Sequence, residues 1–194
     1  SGADCCMTLL GYGLRCSRVM TTNKPVHSVS DVKGMKLRVP TISIYLDTWS
    51  WLGAAPTPMA AADVFTAIQQ NTVDGQENPY GASVGLSMQE CCKYVTETNH
   101  VYSGCSFILD TNFFNGLPEE YQTALREAAD EASSILTDLA VDMAAEKKQV
   151  FVDAGCEIIE PDITEWQAAV DGFLAEKYPY LTEYADMITA ADPA

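Results

Sequence analysis

A chain of 194 residues that is 47% hydrophobic and 9% aromatic can bury a sizeable core and reads as globular. Its formal charge of −16, from 27 Asp plus Glu against 11 Lys plus Arg, argues against nucleic-acid binding, which depends on clustered Lys and Arg. No uninterrupted apolar run approaches the ~20 residues of a membrane span, so the composition predicts no membrane insertion of this chain and a small-molecule ligand under a solvated acidic surface.

The predicted elements alternate between strand and helix. Lys36 to Val39 reads as a short strand closed by Pro40. Ser43 is placed to cap a helix carrying Tyr45, Leu46, Trp49 and Leu52, which Gly53 stops. A second helix sets Val64, Ala67 and Ile68 on one face and ends near Asn71. Val73-Asp74-Gly75 leads into a strand-like or turning segment through Asn78-Pro79, and Ser106 to Leu109 is a further strand. Pro118 suits the first turn of a helix whose positive end Glu119 and Glu120 complement. Tyr121, Leu125, Ala128, Ala132, Ile135, Leu139 and Met143 continue it toward Phe151, and Gly155 ends it. At ~1.5 Å per residue this helix is on the order of 50 Å long, enough to lie across two lobes. Cys156-Glu157-Ile158-Ile159 reads as a strand. Thr164 and Gln167 form a capping box ahead of the stripe Trp166, Ala169, Val170, Phe173 and Leu174, which reads as core. Tyr178, Tyr180, Leu181, Tyr184 and Ile188 predict a last helix packed on the body. No repeat or low-complexity linker intervenes, so the pattern predicts one α/β unit with a mixed or mostly parallel sheet.

Seven cysteines are an odd number, so at least one has no partner within the chain. Cys5-Cys6 and Cys91-Cys92 are sequence neighbours, a spacing poorly suited to one tetrahedral zinc, and His27 and His100 are the two histidines. The pattern predicts no metal and no cofactor, with the thiols acting as small buried hydrophobes. A disulfide pairing stays unassigned.

Several runs occur in one order. Arg18 is followed by Thr21-Thr22, Pro25-Val26 and Asp31-Val32-Lys33-Gly34-Met35-Lys36-Leu37-Arg38-Val39-Pro40. Leu52-Gly53-Ala54-Ala55-Pro56-Thr57-Pro58-Met59, Asp63-Val64-Phe65-Thr66-Ala67-Ile68-Gln69, Val73-Asp74-Gly75-Gln76-Glu77-Asn78-Pro79 and Thr98-Asn99-His100 come next. Together they resemble the extracytoplasmic solute-binding proteins of TRAP transporters, the DctP-like group, with a weaker likeness continuing to about Tyr184. The resemblance implies an α/β fold of periplasmic-binding-protein-like type II lobes, with a mixed sheet and a long lobe-spanning helix. It assigns residues of about 16–103 with 144–175 to the second lobe, about 104–143 to the first lobe and the spanning helix, and 176–194 to a C-terminal helix. It also implies an exported protein, periplasmic or extracytoplasmic. The chain opens Ser1-Gly2-Ala3-Asp4 with no signal peptide, and is expected to be the C-terminal portion of a longer protein.

The same resemblance assigns a site. Arg38 matches the arginine that forms the main salt bridge to a ligand carboxylate, and a guanidinium's planar fork of donors suits that task. Arg18 matches a second basic position, and Asn78 an amide that donates to the acid or a nearby hydroxyl. Thr41 and Ile42 follow the Arg-Val-Pro turn where members present further contacts. Many members place a large aromatic at the position of Ala61, so a bulkier ligand or another side chain, Tyr45 or Tyr102, fills that space. In isolation an arginine is more often a surface ion-pair partner, and Asn78 beside Pro79 is also a plausible turn residue. Glu77 reads as a structural salt-bridge partner and His100 as a hinge or packing residue.

The expected function is a non-enzymatic receptor that captures a small organic acid and delivers it to TRAP transporter membrane subunits. Two alternatives stand beside it. One is a cysteine- or metal-dependent small enzyme, which lacks a nucleophile elbow, metal-ligand spacing or phosphate loop. The other is a truncated lobe with no ligand binding of its own.

Overall fold

The structure, a computed structural model, describes residues 6–191. The opening Ser1-Gly2-Ala3-Asp4 run and Cys5 of the first cysteine pair lie outside the described residues.

The chain enters through strand β1 (Met7–Leu14), crosses to β2 (Val19–Thr22), and makes a 3-10 turn before β3 (Lys36–Val39). Helix α1 (Ser43–Trp51), β4 (Ala55–Pro58), α2 (Val64–Gln69), β5 (Gly75–Asn78), α3 (Tyr80–Gly85), α4 (Met88–Cys91) and β6 (Tyr94–Thr96) follow. A second crossing leads to β7 (Gly104–Asp110), α5 (Thr111–Asn115) and the long helix α6 (Glu119–Asp153). The chain ends with β8 (Glu157–Ile159), α7 (Ile163–Ala169), α8 (Phe173–Lys177) and α9 (Thr182–Ala191). Six strands form a sheet in the order β4-β3-β5-β2-β6-β8, and β1 pairs with β7 in a two-stranded antiparallel ribbon. The larger sheet is mixed: β3 runs parallel to β4 and β5, and β6 to β8, while β2 is antiparallel to both its neighbours.

Burial explains this order. All four residues of β2 and of β5 are buried, as befits central strands covered on both faces. Val19 packs with Val64, Ile68, Val95 and Phe151, whereas its neighbour Met20 packs with Leu37, Val39, Trp49 and Trp166. Successive side chains thus feed two cores on opposite faces of the sheet. Pro56 and Pro58 lack a donor for a second neighbour, and β4 accordingly takes an edge.

Helix α6 has 35 residues and spans about 50 Å, as its apolar spacing predicts. Its middle lies directly on β1. A Cβ added at Gly11 would come within 2.7 Å of the Ala129 carbonyl oxygen, so only glycine allows the approach. Its far end delivers Phe151 into the sheet's core, edge-on to Tyr80 at 5.8 Å between ring centroids. Gly155, at a φ of +80°, turns the chain into β8, and Gly53, at +91°, does the same after α1.

Several sequence expectations shift. Helix α1 is capped at Ile42 rather than Ser43, because the extended residue after the Pro40 turn is Ile42. Helix α7 is capped by Asp162, whose carboxylate accepts from the Thr164 amide, so the expected Thr164–Gln167 box gives way to a stronger acceptor two residues earlier. Helix α9 buries none of its residues: Tyr184, Met187 and Ile188 are exposed, against the expectation of a helix packed on the body. Strands β1, β2, β4 and β6 were not expected.

Asp74 clamps the entry to the site strands. Its carboxylate accepts from Lys24 Nζ at 2.8 Å and the Lys36 amide at 2.9 Å, and its own amide donates to Lys36 O at 2.7 Å. Burial raises its pKa, but these hydrogen bonds outweigh it and hold the carboxyl below its ordinary value. A depressed folded pKa contributes stability above the unfolded value that is lost as pH falls through the folded one. Asp74→Asn is therefore expected to cost about 1 kcal/mol at neutral pH, and the gap to the unaltered chain to narrow below about pH 4. Urea unfolding at pH 7 and pH 3 measures both.

Candidate functional site

The ends of three strands meet at one edge of the six-stranded sheet. Strands β3 and β5 are parallel and deliver Arg38 and Asn78 near their carboxyl ends, while antiparallel β2 brings Arg18 to the same edge just before Val19. This is the edge where open α/β sheets present ligand sites. Helix α1 begins just beyond it and places Tyr45 one turn in. Helix α3, entered through Pro79, forms the other side.

Arg18 is 8% exposed and is gripped by Glu77, which is fully buried. Its Nε donates to Glu77 Oε2, and its Nη2 donates to Glu77 Oε1 at 2.9 Å and to the Glu77 carbonyl at 2.8 Å. The same Nη2 donates to Asn78 Oδ1 at 2.9 Å, and the guanidinium carbon sits 5.2 Å from the Tyr45 ring centroid. His100 closes the far side of the carboxylate, Nε2 lying 3.0 Å from Glu77 Oε2 and Nδ1 2.7 Å from Thr98 Oγ1. Asn78 Nδ2 donates to Gln76 Oε1 at 2.5 Å, and Gln76 Nε2 to Thr21 Oγ1 at 2.6 Å and Ser83 Oγ at 3.1 Å. The result is one continuous polar network in which nearly every lone pair and proton is matched.

Arg38 differs. It is 5% exposed, yet its Nε and Nη2 both donate to a single neutral acceptor, the Met59 carbonyl, at 3.0 and 2.8 Å. Among the described residues no carboxylate pairs with it, since Glu77 is already held by Arg18 and His100. Burial lowers its pKa, Glu77 opposes that shift and Arg18 adds to it. An arginine stays charged under such a shift, so the site holds a buried cation without a counter-ion.

These groups border a cavity of about 460 Å³. Of the residues expected at the site, Arg38, Arg18, Asn78, Ile42 and Ala61 all line it. Thr41 does not: it sits exposed on the turn after Pro40. Tyr45 lines the cavity as well, whereas Tyr102 is 77% exposed and borders neighbouring cavities. Sequence reasoning did not identify the Met59 carbonyl, Arg15 or Ser103. Arg15 sits three residues before Arg18 on the same crossing, a proximity that the sequence does display.

Residues 6–179 match the bacterial extracellular solute-binding protein family 7, DctP, and the chain belongs to that family, one of solute binders and not of enzymes. A solute-binding protein of Roseobacter denitrificans is 35% identical over 167 residues, 86% of this chain and 51% of the relative. The C4-dicarboxylate-binding periplasmic protein DctP of Rhodobacter capsulatus is 30% identical over 166 residues, 86% of this chain and 50% of that protein. A crystal structure of a TRAP periplasmic solute-binding protein from Roseobacter denitrificans, with bound L-galactonate, superposes with a TM-score of 0.81 at 32% identity, covering 95% of this chain and 62% of the other. The chain spans about half the length of the curated relatives it matches. The mixed sheet and long helix are thus those of the periplasmic solute-binding fold. Among the described residues no helix is long and apolar enough to cross a membrane.

Proposed function

We propose that this chain supplies the carboxylate-gripping wall of an extracytoplasmic solute receptor that passes a small organic acid to TRAP membrane subunits. The observation that carries the reading is Arg38: a guanidinium 5% exposed, on a cavity wall, with a neutral carbonyl as its protein partner. A buried charge is costly until it is paired, so such a site favours an anion over water. Arg38 takes one carboxylate oxygen pair, Asn78 is the neighbouring amide, and Arg18 is a brace that holds Asn78 in place. Ile42, Tyr45 and Ala61 supply the apolar side of the ligand's carbon chain. The relatives' recorded ligands, L-galactonate and C4-dicarboxylates, are of the chemical class this wall suits.

In this reading the six-stranded sheet is the body of one lobe, and the β1–β7 ribbon with α6 belongs to the other. The exposed apolar face of the ribbon, with Met7, Leu9, Tyr12 and Leu14, supports that division. Calorimetric titration of the chain with L-galactonate and succinate, and with the amides of both, tests the function. Heat from the acids and none from the amides is expected, because only a carboxylate neutralises Arg38. Equal heats, or none from any of the four, would reject it in favour of a fragment that binds no acid of its own.

A further inference from the structure

Arg15, Arg18 and Arg38 all line the cavity, and among the described residues no Asp or Glu does. In a chain with 27 acidic side chains against 11 basic ones, an acid-free wall with three arginines is a local inversion of charge. One of the three is neutralised, Arg18 by Glu77. Two are not. Arg38 faces the Met59 carbonyl, and Arg15 makes no ion pair among the described residues.

Arg15 is exposed, and an exposed arginine is commonly a solvated charge. Its backbone, however, is fixed. The crossing from β1 to β2 is tied to the crossing from β6 to β7 by Arg15 N donating to Ser103 O at 2.8 Å and Arg18 N to Val101 O at 3.1 Å. Ser17 Oγ donates to Asn99 Oδ1 at 2.6 Å as a third tie between the same two crossings. The base of the Arg15 side chain is thereby held beside Ser103, which lines the same cavity. Glu97 borders a neighbouring cavity that Arg15 also touches, but its carboxylate is engaged by Tyr80 Oη at 2.8 Å and Lys148 Nζ at 2.9 Å. Arg15 and Arg38 line the same cavity of about 460 Å³, room for a short organic acid held between two arginine side chains.

We propose that Arg15 is a specificity-determining residue of this cavity: it contacts a second anionic group, so the acid preferred by this chain is a dianion with one charge on Arg38 and the other on Arg15. The inference rests on the carboxylate-binding reading above. It is tested with two pairs of probes that differ at the second carboxylate, galactarate against L-galactonate and succinate against butyrate. Each is titrated into the unaltered chain, Arg15→Gln and Arg38→Ala. In at least one pair the diacid is expected to bind the unaltered chain about tenfold more tightly than the monoacid. Arg15→Gln erases that preference while the monoacid affinity changes less than about twofold. Equal losses for both members of a pair, or no loss for the diacid, overturn the assignment of Arg15. Arg38→Ala separates the two readings: unchanged binding there overturns the carboxylate site itself, and loss there with no discrimination at Arg15 overturns the dianion proposal alone. Absence of heat with every probe in the unaltered chain counts against both.

Discussion

Arg38→Ala is expected to weaken capture of an organic acid by about 3 kcal/mol, more than a hundredfold in Kd, while leaving the chain folded. The size follows from where the charge sits. Arg38 is 5% exposed on the wall of the cavity, and the Met59 carbonyl satisfies two of its donors without neutralising it. A ligand carboxylate therefore gains a charge-assisted contact in a poorly screened place, which is where such contacts are strongest. Removing the side chain removes that gain and leaves apolar and neutral contacts alone. Folding is not expected to suffer, because an unpaired buried cation does little to stabilise the fold that contains it. Arg38→Lys keeps the charge but cannot hold Met59 O and a carboxylate with one planar fork, and an intermediate affinity is expected. Calorimetry with L-galactonate and succinate, alongside thermal melts of each variant, reads both effects. Wild-type affinity in Arg38→Ala would remove the basis of the proposed function.

The second large effect falls on stability. Glu77→Ala is expected to cost about 3 to 5 kcal/mol, the range seen when one member of a buried ion pair is deleted. Glu77 is fully buried and receives both Arg18 and His100, so its loss strands a cation that is 8% exposed and an imidazole together. Arg18 then has no reason to keep its place over Tyr45, and Asn78 loses the donor that orients its oxygen. The contrast with a double replacement is informative. Arg18→Leu with Glu77→Leu removes both charges, and most of the lost stability is expected to return, because burying two apolar groups incurs no ionic desolvation. Acid binding is not expected to return, since Asn78 still lacks its brace. Denaturant unfolding of the single and double variants measures the coupling, and a Glu77→Ala chain as stable as the unaltered one would show that the pair is not the brace described.

Charge and ion pairing divide the work at this edge of the sheet. Arg18 is expected from the sequence as a second ligand contact, and the structure pairs it with Glu77 while keeping it on the cavity wall. Glu77 reads as a structural partner, and the structure supplies its two counterparts, Arg18 and His100. His100 packs edge-on against Trp49 at 5.0 Å between ring centroids, so it joins the polar network to the apolar core beneath α1.

Much of this protein was legible from residue order alone. The 3.6-residue period of α6, its terminal Gly155, the Lys36–Val39 strand and the Val64–Ile68 helix face are local patterns, and local patterns survive in a linear string. So does the ordered set of motifs that carries the family, because it is a property of spacing. The short strands β1, β2, β4 and β6 were not legible. Strand β2 is covered on both faces and β4 is an edge strand with two prolines, so neither shows an alternating pattern, while β1 alternates in burial but turns its apolar Leu9, Tyr12 and Leu14 outward over glycines. Which of the two arginines pairs with a carboxylate inside the protein was equally beyond a one-dimensional reading. Arg18 and Glu77 are 59 residues apart and meet because β2 runs antiparallel to β5, and among the described residues Arg38 has no carboxylate partner while Glu77 is held by Arg18 and His100. Pairing is a competition among groups brought within a few ångströms, and only the folded arrangement of strands decides who wins it.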